Sequence, residues 1–236
     1  MQVEHTTGEV LAGPLQDLYV YEAPVRLAHW LFALCIPTLA VTGYLIGSPL
    51  HSNYGDTWDT FVMGWIRTIH FTAGYILVVT FVFRVYWAIV GNHTARAIFV
   101  PPVWRARWWK SVIDQAKYYL FVGKDRLWVG HNPLAQGVMF LMFTLGVIFM
   151  ILTGFALYAQ QWGWGLTPMN LFGWQFKLFN EPQTVRTLHH LGMWYILLFV
   201  MTHLYMVFRE DIMSGQSVIS TMVNGIRMWK RAPRKG

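Results

Sequence analysis

Histidine recurs in this chain where water is scarce. His29, His70, His189, His190 and His203 stand within or at the edge of long apolar runs, where an ionisable side chain needs a partner or a function. A neutral imidazole keeps one ring nitrogen bare and is the commonest protein ligand for transition metals. Two imidazoles facing each other can fill opposite coordination positions of one metal. Which of the five could face each other depends on the elements that carry them.

Hydrophobic residues make up 55% of the chain and charged residues 12%, with 13 Trp and 11 Tyr, a balance that suits a bilayer better than water. Apolar runs fall near residues 27–47, 69–90, 134–159 and 188–208, each close to the ~20 residues that cross ~30 Å of hydrocarbon. The expected fold is an all-α integral membrane protein, a four-transmembrane-helix bundle with interfacial helical segments in its loops. All 236 residues are expected to form a single membrane domain. The sequence shows neither internal repeat nor low-complexity segment. Its first apolar run begins late and lacks a small-residue cleavage site, so no cleaved signal peptide is expected. The single cysteine, Cys35, excludes intrachain disulfides, CxxC clusters and covalent CxxCH haem attachment, and is read as a buried packing residue.

Lys and Arg set the orientation. Arg96, Arg105, Arg107, Lys110, Lys117, Lys124 and Arg126 lie between the second and third runs, and Arg227, Lys230, Arg231, Arg234 and Lys235 follow the fourth. These segments are expected in the cytoplasm, with both termini. The other connections offer only Arg67, Lys177 and Arg186, and face outward. The net charge of +7 is thus read as a topology signal and an attraction to anionic lipid, with no nucleic-acid partner implied. Residues 103–122 mix cations with Trp and Tyr as an interfacial helix would. The outer stretch from Gln160 to Thr187, with Trp162, Trp164 and Trp174, has a similar interfacial character and could receive a partner.

With this topology, His29 lies at the inner level and His70 at the outer one. The fourth helix runs inward, so His189 is outer and His203, 14 residues on, is about 21 Å deeper. At about 100° per residue a 14-residue step falls ~40° short of four turns, whereas the 13-residue step from His190 falls ~140° short. His189 and His203 therefore share a face. Pairing by level gives His70 with His189 and His29 with His203, an arrangement that suits two non-covalent haems b with both axial positions filled. Such haems would carry electrons and leave no open position for substrate.

The same step from His29 reaches Gly43, which could make room for the outer macrocycle, and from His70 reaches Arg84, which could pair with an inner haem propionate. A helix-packing glycine and a snorkelling arginine are the plainer alternatives. His5, His51 and His93 are expected to be solvated loop residues. The third helix, without histidine, would pack through Gly137, Gly146 and Gly154. His131 and Asn132 could hydrogen-bond a quinone, or simply cap the third helix.

The segments YEAPVRLAHW, MGWIRTIHFTAG, GHNPLAQ, HHLGMW and REDIMSGQSVISTMVNGIR resemble the b-type cytochrome subunit of membrane-bound respiratory nickel–iron uptake hydrogenases. REDIMS is the most specific of them, since GHNP also occurs in wider di-haem cytochrome b groups. The resemblance implies a subunit of a hydrogen:quinone oxidoreductase in the bacterial inner membrane, with no hydrogen-activating site of its own. It would anchor an iron–sulfur small subunit and a nickel–iron large subunit on the periplasmic side and pass their electrons to quinone. The family's haem histidines match His29, His70, His189 and His203; His190 falls outside that pattern. Two other classes stay open: the same device serving another dehydrogenase, such as formate dehydrogenase, and a haem-free transporter or passive anchor. The absence of Asp and Glu from all four apolar runs counts against a transporter.

Overall fold

The computed structural model describes residues 17–49, 61–123, 128–162 and 167–228. His5, His51, Lys124, Arg126, Trp164, Lys230, Arg231, Arg234 and Lys235 lie outside the described residues. In order, the elements are β1 (Leu18–Tyr19), α1 (Ala23–Gly47), α2 (Val62–Val90), α3 (His93–Arg96), α4 (Ala106–Tyr119) and α5 (Pro133–Val138). A π-helical turn over Met139–Thr144 leads into α6 (Leu145–Ala159), followed by a 3₁₀ turn over Gln160–Trp162. Then come α7 (Thr167–Phe172), α8 (Trp174–Leu178), α9 (Pro182–Met213), α10 (Val218–Asn224) and β2 (Ile226–Arg227).

Four helical stretches are long and apolar enough to cross a membrane: Ala23–Gly47, Val62–Val90, Pro133–Ala159 and Pro182–Met213. The protein is thus an all-α membrane protein of the expected class. Several helices start before the apolar runs do, because hydropathy registers only the hydrocarbon-facing stretch while backbone hydrogen bonding continues into the interface. Large apolar side chains such as Leu34, Val79, Ile89 and Met201 are exposed on these helices, as lipid-facing residues should be.

By internal contacts the chain divides into two units. The first comprises the residues up to His29, Phe83–Thr144 and those from Phe199 onward. Here the first and last described segments are tied together: β1 and β2 pair antiparallel, Leu18 opposite Arg227 and Tyr19 opposite Ile226. Gly225 closes α10 at φ +84°, and its carbonyl accepts from the Val20 amide at 2.8 Å. A Cβ there would lie 2.7 Å from the Tyr21 carbonyl oxygen, so the position needs glycine. Asp211 Oδ1 accepts from the Val218 amide at 2.7 Å and the Ile219 amide at 3.3 Å, which fixes the turn from α9 into α10 and gives the REDIMS segment a structural job. Glu22 Oε2 accepts from Trp87 Nε1 at 2.9 Å and the Asn92 amide at 3.0 Å, joining the start of α1 to the end of α2.

The interfacial helix expected over 103–122 is α4. It buries Trp108, Ser111 and Gln115, and Trp108 Nε1 donates to Gln136 Oε1 at 3.2 Å. Trp109 and Ile113, four residues apart, remain exposed on another face, the arrangement expected of a helix lying in headgroups. Asn132 caps α5, its side chain accepting from the Ala135 amide at 2.8 Å. Its Nδ2 also donates to the Tyr119 hydroxyl at 2.6 Å. His93 opens α3 as its first residue, on an exposed position.

The second unit comprises Trp30–Val82 and Leu145–Leu198. In it α6 and α9 approach through glycines on both sides. A Cβ at Gly146 would lie 2.8 Å from Ile196 Cδ1, and one at Gly192 would lie 2.5 Å from Met150 Sδ. Such close approach is how membrane helices gain contact without a hydrophobic drive. A small core of Ala156, Met169, Phe176 and Val185 seats α7 and α8, and Gln175 Nε2 donates to the Leu152 carbonyl at 2.9 Å. Cys35 is a free, buried thiol.

Candidate functional site

In the second unit, two histidines are held in the same way. His70 on α2 has Nδ1 2.9 Å from Thr42 Oγ1 on α1, and His189 on α9 has Nδ1 2.8 Å from Thr153 Oγ1 on α6. Each threonine is followed by a glycine that lies against the same imidazole: a Cβ at Gly43 would be 3.1 Å from His70 Cε1, and one at Gly154 3.3 Å from His189 Cε1. Gly43 therefore makes room for a histidine ring, and Gly154, expected to serve helix packing, does the same. Neither threonine was evident from residue type alone. The signal was the Thr-Gly dipeptide, present once in the first apolar run and once in the third.

His190 takes a different direction. Its ring lies 6.3 Å from that of Tyr44 and 6.3 Å from that of Trp194, centre to centre, and a Cβ at Gly47 would be 3.5 Å from its Cε1. It is an aromatic packing residue against α1.

In the first unit, His29 on α1 and His203 on α9 face each other with ring centres 6.3 Å apart. A metal midway between two imidazoles, about 2.0–2.1 Å from each nitrogen and so about 3 Å from each ring centre, would separate the centres by roughly 6 Å. The pair therefore fits a bis-imidazole site. Phe199 stacks on His203 at 5.7 Å and 22°, and Phe143 lies 5.8 Å from Phe199. Phe143 belongs to the π turn, a distortion that often marks functional positions in helices. Thr144 of the same turn donates to the Ile98 carbonyl at 3.1 Å.

Two guanidinium groups are buried in this unit. Arg84 and Arg227 are each 4% exposed. Arg84 Nη2 donates to the Ala95 carbonyl at 2.6 Å and its guanidinium lies 5.0 Å from the Phe99 ring centre. Arg227 Nη2 donates to the Gly130 carbonyl at 3.4 Å. Arg84 Nη1 and Arg227 Nε have no hydrogen-bond partner, although the Glu210 and Asp211 carboxylates act electrostatically on Arg227. A buried, half-satisfied cation is costly, and the group that would complete both is an anion such as a haem propionate. Arg227 was not singled out as a site residue by sequence; it had been counted only among the basic residues of the tail, whereas β2 turns it inward.

His131 lies among the same groups. Its Nδ1 is 3.1 Å from the Tyr21 hydroxyl. Desolvation, with the nearby guanidinium charges of Arg227 and Arg84 added, pushes its pKa down to about 3. Burial likewise raises the Tyr21 pKa and lowers that of Arg227. Tyr21 and His131 are both neutral at physiological pH, joined by one hydrogen bond.

Residues 20–225 match the family model described as prokaryotic cytochrome b561. The chain belongs to this family. Relatives named "Probable Ni/Fe-hydrogenase B-type cytochrome subunit" include a protein of Azotobacter chroococcum, 54% identical over 90% of this chain and 89% of the relative. One from Rhizobium leguminosarum is 53% identical over 91% of this chain and 90% of the relative. The "Probable Ni/Fe-hydrogenase 1 B-type cytochrome subunit" of Escherichia coli K12 is 47% identical over 90% of this chain and 91% of the relative. The resemblance to b-type hydrogenase cytochromes carried by REDIMSGQSVISTMVNGIR and its companion segments thus extends over nine tenths of the chain. A b-type cytochrome implies haem b. The fit of the first-unit pair, in donor chemistry and in ring spacing, is good.

Proposed function

We propose that this cytochrome b561 is the di-haem electron-transfer and membrane-anchor subunit of a nickel–iron hydrogenase, passing electrons from a periplasm-facing partner to the quinone pool. His29 and His203 would ligate the inner haem b, and His70 and His189 the outer one. Held between two histidines, a haem supplies a one-electron ferric/ferrous couple and offers no open coordination position. The chain's own groups do the rest. Thr42 and Thr153 hold two of the imidazoles, Arg84 and Arg227 offer N–H donors to propionates, and the apolar helices keep water from the ligands. By the positive-inside tendency, the basic residues between the second and third membrane helices and those of the tail would lie in the cytoplasm of a bacterial inner membrane. The relatives' names associate them with a Ni/Fe-hydrogenase, whose small and large subunits would dock on the opposite side.

The observation that carries this reading is the facing of His29 and His203, with ring centres 6.3 Å apart. The test is haem and iron content of the purified complex together with its reduced-minus-oxidised spectrum. Two haems b per chain and nickel in the partner are expected. A single haem would overturn the di-haem reading, and molybdenum in place of nickel would move the chain to another dehydrogenase.

The two arginines give a further prediction. Arg84→Gln or Arg227→Gln should weaken retention of one haem by about 1.5–3 kcal/mol, the value of a charge-assisted hydrogen bond. Haem transfer to an excess of apomyoglobin reads this directly. Unchanged transfer in both variants would exclude a propionate role.

A further inference from the structure

We infer that Thr42-Gly43 and Thr153-Gly154 are two copies of one positioning device, which locks His70 and His189 into the tautomer that leaves Nε2 bare for iron. The inference rests on the proposal that these two histidines ligate a haem, and adds what prepares them for it.

The hydroxyl hydrogens decide the tautomer. A threonine hydroxyl has one hydrogen to give and two lone pairs to accept with. Thr42 Oγ1 lies 2.6 Å from the Thr38 carbonyl oxygen and 2.9 Å from His70 Nδ1. A carbonyl can only accept, so the hydroxyl hydrogen goes to Thr38. What Thr42 then offers His70 is a lone pair, and His70 Nδ1 must carry the hydrogen of that contact. Thr153 repeats the pattern, with Oγ1 2.8 Å from the Phe149 carbonyl and 2.8 Å from His189 Nδ1. A neutral imidazole protonated at Nδ1 is unprotonated at Nε2. Both threonines are buried, at 7% and 2% exposure, so water does not compete for the contact.

The glycines complete the device. Cε1 lies between the two ring nitrogens, and it is Cε1 that a Cβ at Gly43 or Gly154 would crowd, at 3.1 and 3.3 Å. A methyl there would lift the nitrogen-bearing edge of the ring away from the threonine one residue earlier. Glycine sets how close the ring can come, and threonine sets which nitrogen is protonated. Back-bonding of Thr to the preceding turn is common in membrane helices; here the remaining lone pair has a use.

An imidazole that donates its second N–H is a more basic ligand and favours ferric iron. Thr42→Val and Thr153→Val keep the side-chain shape and remove the acceptor. Each should raise the midpoint potential of one haem and leave the other unchanged in a redox titration of the whole complex. A tenfold change in the ferric/ferrous balance reads as about 59 mV for a one-electron couple. Thr42→Ser and Thr153→Ser, which retain the hydroxyl, should restore the parent potential. Loss of one haem in the Val variants with retention in the Ser variants would support the same conclusion. Parent potentials in both Val variants, or equal haem loss in Val and Ser variants, would overturn it. The underlying ligand assignment fails separately: it is lost if His70→Ala keeps both haems.

Discussion

His203→Ala in the purified complex is expected to lose one haem of two while the second keeps its parent spectrum, and His29→Ala should do the same. The expectation follows from the bis-histidine geometry of the first unit, where the rings face each other 6.3 Å apart. Removing either imidazole would leave one of the two proposed ligands, and the chain has no CxxCH that could hold a haem covalently. Electron delivery to quinone should therefore stop, with a fall limited only by the assay background. Hydrogen oxidation with an artificial dye should persist if the partner subunits still assemble, since their chemistry does not involve this chain. A structural objection is answered by Phe199→Ala. That substitution removes the ring stacked on His203 without removing a ligand, so it should keep both haems even where stability suffers. Full haem content in both His29→Ala and His203→Ala would remove this pair from the ligand set.

The approach of His29 to His203 was legible because its physics is one-dimensional. Depth comes from helix direction and rise, and facing comes from angle along a regular helix, so residue spacing alone matches His29 with His203. Membrane spans were legible for the same reason, as hydropathy needs no partner. What escaped was everything that depends on where a chain segment turns. Arg227 reads as one more cation in a basic tail, and becomes a buried one only because Gly225 adopts a left-handed conformation and β2 pairs with β1. Thr42 and Thr153 read as ordinary helix residues, and acquire a role only when α1 meets α2 and α6 meets α9. Gly154 was assigned to helix packing; residue type cannot distinguish a glycine that admits a helix from one that admits an imidazole. Asn132, by contrast, was readable as a cap, since Asn-Pro at the start of an apolar run is a local signal.

The sharpest test of the angular argument concerns two adjacent residues. His189→Ala is expected to lose one haem, with one of two low-spin bis-histidine signals gone from the low-temperature paramagnetic resonance spectrum, while His190→Ala keeps both. Their side chains point about 100° apart on one helix, so a single haem cannot treat them alike. The threat to such reasoning is a frayed or tightened helix end, which would rotate both positions. Here α9 begins at Pro182, two turns before the histidines, so they sit on regular helix. Their surroundings then diverge. His189 Nδ1 is fixed by Thr153 Oγ1 at 2.8 Å with Gly154 beneath the ring, whereas His190 rests on Gly47 between Tyr44 and Trp194. His190→Ala removes packing against two aromatic rings and should lower thermal stability by roughly 1–3 kcal/mol, the scale of ordinary destabilising substitutions, with haem content intact. Loss of a haem in His190→Ala but not in His189→Ala would mean that the ligand to be paired with His70 is His190, and that the Thr153 contact serves packing alone.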